Sequence, residues 1–322
     1  MKALVLTGLI AAVVAIYGCG GTQQVSPPAP ATHSQDVSLL EPPDQVTKSC
    51  GAGFDPGQQC IWWVPKSGPW DIDVVYEETY SEVSGLFYAK NTLYEGSGKS
   101  VYVLVKRKYQ YTLTGLTGTP LGIAADSKGT VWASNTPSNV LSEFPPHKTK
   151  PAATYTDANL TSLSYVAVDR FDNVYVEGQG TYGIEVDELS PASGSFTPIG
   201  SPGELGDTAG GLAFQKSKTG SYLWINDQGT SSASGSITQW LFQNGGLKKV
   251  GSFGYVGTNG AIWADPAGKD TKRVFATNNV ASGSYFENKG VEYAMPSGDI
   301  VSESNSSMEA ALDVGIAGAH KY

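Results

Sequence analysis

Histidine, cysteine and methionine are nearly missing from this chain, at three residues each in 322, and only 16% of its residues are charged. Three His, at positions 33, 147 and 320, leave little for a histidine-based triad or a His-rich metal site. No GxSxG elbow and no HExxH pair occurs. Basic side chains number 21 against 30 acidic ones, a formal net charge of −9. Such a surface repels phosphates, so no nucleic-acid partner is expected, and Lys106-Arg107-Lys108 reads as a solvated turn. Gly96-Ser97-Gly98-Lys99-Ser100 resembles the end of a phosphate-binding loop, but Leu93 stands where its first glycine belongs, and no helix follows to bind phosphate. It reads as a hairpin loop.

What is abundant points to short strands. The chain has 39 Gly, 18 Pro and 17 Tyr, and no window of helical periodicity competes outside the N-terminus. The clearest stretch is Leu121 to Pro146. Gly122 to Asp126 is a short apolar run, Ser127-Lys128-Gly129 a turn, Val131 to Asn135 a second run and Val140 to Phe144 a third. Copies of the second run are Phe87 to Asn91, Val174 to Gly178, Leu223 to Asp227 and Val274 to Asn278. Copies of the first are Tyr165 to Asp169, Gly211 to Gln215, Ala261 to Asp265 and Gly315 to Ala319. Third runs start at Val101, Val140, Ile184, Ile237 and Val291. The period, roughly 43 to 54 residues, is that of propeller blades.

The expected fold is therefore all-β, a β-propeller over residues 49–322. The last copy, Gly315 to Ala319, has no partners after it, and the N-terminal end can supply them. Ile61 to Val64 serves as a second strand and Ile72 to Tyr76 as a third, with Glu78 to Glu82 starting the next blade. This joins N- and C-terminal strands in one blade, leaves no open edge, and makes six blades, the closing one lacking a clear fourth strand. Direct pairing of Gly315 to Ala319 with Phe87 to Asn91 makes five. Gly122 to Asp126, Gly129 and Val131 to Asn135 resemble the NHL-repeat type of propeller, whose scaffold carries binding modules, lactonases and lyases. Asp126, Asp169 and Asp265 match the strand-end Asp of that pattern, and Gln215 departs from it.

The N-terminus has a different character. Met1-Lys2 precede the apolar run Ala3 to Ile16, too short to span a bilayer. Ile16-Tyr17-Gly18-Cys19 resembles the lipobox of bacterial lipoproteins, which implies a signal peptide over 1–18 and a lipid on Cys19; the other readings are an ordinary secretory signal cleaved nearby and an uncleaved anchor. Tyr17 departs from the usual small or β-branched residue there. Gly20-Gly21 lack the Asp that retains such proteins at an inner membrane, so the expected address is the outer membrane or cell surface. Residues 19–48, rich in Pro, Gln, Ser and Thr, read as a disordered tether. With Cys19 acylated, Cys50 and Cys60 remain as a disulfide pair around a Gly-rich loop, contributing roughly 2 to 3 kcal/mol.

The last two columns of the second strands carry the candidate site: Asn91, Asn135, Glu177, Asn226, Asp227 and Asn278. In a propeller these oxygens lead into loops on one face and can converge at the channel mouth, although strand-to-loop turns also select Asn, Asp and Gly. The expected function is that of a membrane-tethered, monomeric, non-enzymatic module binding a protein, glycan or small molecule, with no cofactor required. The alternative is a Ca- or Zn-assisted hydrolase of lactone type using the same residues. Trp132, Trp224 and Trp263 fall inside strands and are read as packing between sheets rather than sugar platforms. Mass spectrometry of the membrane-extracted protein should find an acylated Cys19 at the mature N-terminus and a Cys50–Cys60 cross-link; a soluble product starting elsewhere would rule out the lipid anchor.

Overall fold

The computed structural model describes residues 45–48, 59–64, 71–76, 83–89, 92–106, 108–200, 203–218, 220–231, 234–243, 246–255, 259–264, 273–282, 285–295, 297–303 and 316–318. All lie within one compact unit, Glu41–Tyr322. Every regular element among them is a strand. β1 (Gln45–Lys48), β2 (Gln59–Val64) and β3 (Asp71–Tyr76) come first. A second sheet holds β4 (Val83–Ala89), β5 (Thr92–Ser97), β6 (Ser100–Val105) and β7 (Lys108–Leu113). The third holds β8 (Ile123–Ala125), β9 (Val131–Ser134), β10 (Val140–Phe144) and β11 (Ala153–Thr156). The fourth holds β12 (Ser162–Val168), β13 (Val174–Gly180), β14 (Gly183–Ser190) and β15 (Ser195–Pro198). The fifth holds β16 (Ala209–Lys216), β17 (Ser221–Ser231), β18 (Ser234–Gln243) and β19 (Gly246–Tyr255). The sixth holds β20 (Asn259–Ala264), β21 (Arg273–Ser282), β22 (Tyr285–Ala294) and β23 (Ile300–Glu303). Finally β24 (Ile316–Gly318) returns to the first sheet, whose order is β24-β1-β2-β3.

Among the described residues the strands make six four-stranded antiparallel sheets. β24 pairs with β1, Gln45 opposite Gly318 and Thr47 opposite Ile316. The first strands of successive sheets are neighbours in turn: β4 with β8, β8 with β12, β12 with β16, β16 with β20, β20 with β24, and β24 with β4.

Three details differ from the expectation. The first sheet takes its second strand from Gln45–Lys48, inside the stretch read as tether, so Ile61 to Val64 is a third strand and Ile72 to Tyr76 a fourth. That sheet therefore has the fourth strand it was expected to lack. QVTK lacks the aromatic of the repeat pattern, and pairing on both sides supplies what its composition does not. In the second sheet, Phe87 to Ala89 belongs to the first strand and Thr92–Ser97 is the second. Alternation of Phe, Tyr and Ala suits either position, and only the neighbouring strands distinguish them.

The repeat residues have local causes. Asp126 Oδ1 accepts the amides of Lys128 (2.9 Å) and Thr130 (2.8 Å), holding the β8–β9 turn, and Gly129 supplies its positive φ of 89°. Asp169 does the same for Phe171 and Asn173. Asp172 stands where Gly129 does, at φ 66°, and its carboxylate reaches back to the preceding sheet, accepting Ser127 N (2.8 Å) and Ser127 Oγ (2.6 Å). Gln215, which replaces the repeat Asp, accepts the Trp224 indole N–H at 3.2 Å.

The core lies between sheets. One apolar cluster joins Phe87 and Val103 to Ile123, Leu141, Leu163 and Val176. A second joins Tyr175 and Ile184 to Phe214, Leu223 and Trp240, and a third runs from Trp224 to Ile262, Val274 and Tyr293. Tyr175 and Phe214 rings meet at 4.3 Å with Phe242 edge-on to both, each such pair adding about 0.5 to 1.5 kcal/mol beyond buried area. Trp132 and Trp224 are buried in this packing, as expected. Deleting residues 316–322 strips β1 of one partner and exposes its edge. The whole domain should melt earlier in a single cooperative step, and an unchanged melting curve would show that the β1–β24 pairing is dispensable.

Candidate functional site

Of the six expected site residues, Asn91 lies outside the described residues, as do Cys19, Cys50, the signal segment 1–18 and residues 19–44 of the expected tether. Cys60 sits in β2 opposite Val74. Asn278 is placed on β21 opposite Asn259 and Lys289. Of the remaining four, Asn135 directly follows β9, whereas Glu177 lies within β13 and Asn226 and Asp227 within β17, because those second strands run on past the repeat positions.

Asn135 is buried and saturated. Its Oδ1 accepts Thr117 N at 2.8 Å and Thr117 Oγ1 at 3.2 Å. Its Nδ2 donates to Val140 O at 3.1 Å and Ser142 Oγ at 2.9 Å. All four hydrogen-bonding positions of the amide are used to pin the connection into β8 against the β9–β10 turn. Asn226, also buried, donates to Gly210 O at 3.4 Å, and Asp227 Oδ1 accepts Thr208 N at 2.9 Å. Asn226 thus ties β17 to β16, and Asp227 ties it to the connection entering β16.

Glu177 is the exception. It is buried on β13 against the fifth sheet, and neither carboxyl oxygen has a hydrogen-bond partner. Burial pushes its pKa well above the usual carboxylate range, and Asp227 adds to the rise. The Gly211 amide faces it and opposes the shift, without reaching hydrogen-bonding geometry at either oxygen.

A second polar group gathers at the same end of the sheets, where β13 turns into β14. The loop 157–161 leads from β11 into β12. There Asp157 Oδ1 accepts Asn159 N at 2.9 Å, while Asn159 Nδ2 donates to Asp187 Oδ2 on β14 at 2.6 Å. Asp157 and Asp187 are both fully buried. Burial pushes Asp187 up to about 7; the Asn159 bond opposes this, and Asp157 and Glu185 reinforce it. Burial also raises Asp157, against the opposing bonds from Asn159, Asp187 and the Leu160 amide. Above this group lies a half-open groove of about 370 Å³ lined by Asn159, Thr181, Tyr182, Glu185, Ile199 and Leu205, among others. Tyr182 on its rim is 70% exposed.

Neither Asp157 nor Asp187 stood out in the sequence. Asp187 alternates with Glu185 along β14, the pattern of a solvated strand face, and only the loop folding over it makes it a buried acid. Among the described residues no three His, Cys, Asp or Glu side chains gather as a metal cluster.

The buried acid at 177 has a measurable sign. The folded chain keeps its proton above pH 4.5, where the unfolded chain has released it, so this residue makes stability fall as pH rises through that range. Glu177→Gln removes that dependence. It should melt like the parent at pH 4 and higher, by roughly 2 °C or more, at pH 7.5; equal melting at both pH values would mean that Glu177 is compensated.

No family model matches the chain, and no curated protein does. Among solved structures, hydrazine synthase of Kuenenia stuttgartiensis is similar, with a TM-score of 0.55 over 72% of this chain and 70% of that one, at 13% identity. At that identity the likeness concerns the fold alone.

Proposed function

We propose that the chain is an exported lipoprotein carrying a closed, six-bladed β-propeller of NHL-like type on an acylated Cys19. In this reading it works as a monomeric, non-enzymatic binding module at the outer membrane or cell surface. Closure is supported by the β1–β24 pairing and by the unbroken succession of first strands from β4 round to β24. The lipobox-like Ile16-Tyr17-Gly18-Cys19 supports the address.

The observation that carries the binding reading is how Asn135, at the end of β9, is used. Asn135 spends every hydrogen-bonding position inside the protein. It therefore has none left for a ligand or a cation. Among the described residues a concave surface lies beside β14, where exposed Tyr182 and Asn159 and half-buried Glu185 border Ile199 and Leu205. A groove with an aromatic rim, a few polar groups and an apolar floor suits a glycan, a small molecule or a short peptide.

Ligand-detected NMR on the full chain with a panel of soluble glycans, peptides and lactones tests this. Saturable binding without turnover, lost in Tyr182→Ala, is the expected result. Turnover of a lactone that depends on added Ca²⁺ or Zn²⁺ would replace the binding module with a hydrolase.

A further inference from the structure

Two carboxyls buried face to face need something between them. Asp157 Oδ2 and Asp187 Oδ1 have no donor within reach, although the outer oxygen of each is occupied by Asn159. The two side chains lie within hydrogen-bonding range of each other. Both residues are fully buried, so bulk water does not solvate them. Two ionised carboxylates in that position repel, whereas one proton between them turns the contact into a short, charge-assisted hydrogen bond.

We propose that Asp157 and Asp187 share one proton and form a pH-operated latch that fastens the 157–161 loop to β14. The latch sits under one wall of the groove. Asn159 both bridges the two acids and lines the groove, so release of the loop moves a ligand-facing side chain. Asn139 tethers the loop from its other side, donating to Asp157 O at 2.6 Å and Leu160 O at 3.3 Å. The far end of the loop is fixed independently, by buried Leu160 and by Thr161 N donating to Gln179 O on β13 at 2.7 Å, so opening is local to the part around Asn159.

The surroundings set the direction. On β14 the charged neighbour is Glu185, which is also acidic and also raises Asp187. From β13 the residue opposite Asp187 is Val176, and from β15 it is Pro198, so neither flanking strand presents a titratable group there. On the loop itself Asn159 and the Leu160 amide are neutral donors. Nothing cationic shifts either acid, so the proton is the latch. The closed pair holds it up to about pH 7, whereas two solvated carboxyls lose both protons near their ordinary 3.8. Closure is strongest below about pH 4 and is lost as pH rises through 7.

This latch bears on the groove assigned above to ligand binding, but its test reads the loop and not a ligand, so the two readings fail separately. Local readout is needed because Glu177 makes global stability fall in the same direction. Hydrogen exchange of the full chain, corrected for the intrinsic pH dependence, should show protection of the 157–161 amides at pH 5.5. From about pH 4 up to about pH 7 the opening constant should increase about tenfold per pH unit, levelling off above 7 where the closed pair has also lost its proton. Asp187→Asn, whose amide replaces the shared proton with a permanent donor, should keep the loop protected at pH 8.5. Asp157→Asn is the mirror variant and should do the same. Parent protection that stays flat from pH 5.5 to 8.5 overturns the latch. So does protection at pH 8.5 that a chelator removes, since a cation would then occupy the gap.

Discussion

The close approach of neighbouring first strands is the constraint on which the rest of the molecule depends. A Cβ on Gly85 would sit 2.5 Å from the carbonyl oxygens of Pro120 and Leu121, and one on Gly122 would overlap the backbone at Tyr165 and Val166. Each glycine lets the first strand of one sheet lie against the chain entering the next. With the backbones that close, the faces of adjacent sheets meet and their side chains interleave. The three apolar clusters, each spanning neighbouring sheets, follow from that spacing.

Polar side chains then fix what packing leaves loose. Asp126 and Asp169 close turns, Asp172 ties its turn to Ser127 in the preceding sheet, and Asn135 joins a connection to a hairpin. These bonds cost little because both partners are satisfied. Glu177 and the Asp157–Asp187 pair are different, since they are buried and leave both oxygens of Glu177, and one oxygen of each Asp, without a donor. Unsatisfied buried acids work against stability at neutral pH, so they are the places where proton concentration acts on the fold.

The groove beside β14 is made by the same economy. Its walls are connections, the 157–161 loop and the stretch after β15, laid over strands whose positions the sheets dictate. Rigid strands with adaptable loops above them are a usual setting for recognition. In this chain the loop bearing Asn159 is held by carboxyls as well as by the buried side chain of Leu160, and the carboxyls couple the shape of the groove to pH in the proposed latch.

Repetition was legible from the residues alone. The recurring GIAAD-like and VWASN-like runs have the period of a four-stranded unit, and period-2 alternation with Gly and Asn between runs leaves few structures other than antiparallel meanders. Return of the last strand to the first sheet was legible too, because Gly315 to Ala319 had no partner of its own. What the residues could not assign was the place of Gln45–Lys48, whose four polar-leaning residues become a central strand only when β24 and β2 flank them. Nor could they separate Asn135 from Glu177, which occupy neighbouring positions of the repeat. Burial of a polar side chain and its supply of donors are set by what the next sheet and the overlying loop bring within 3 Å. For that reason strand order was written locally along the chain, while the buried acids were decided only when distant segments met.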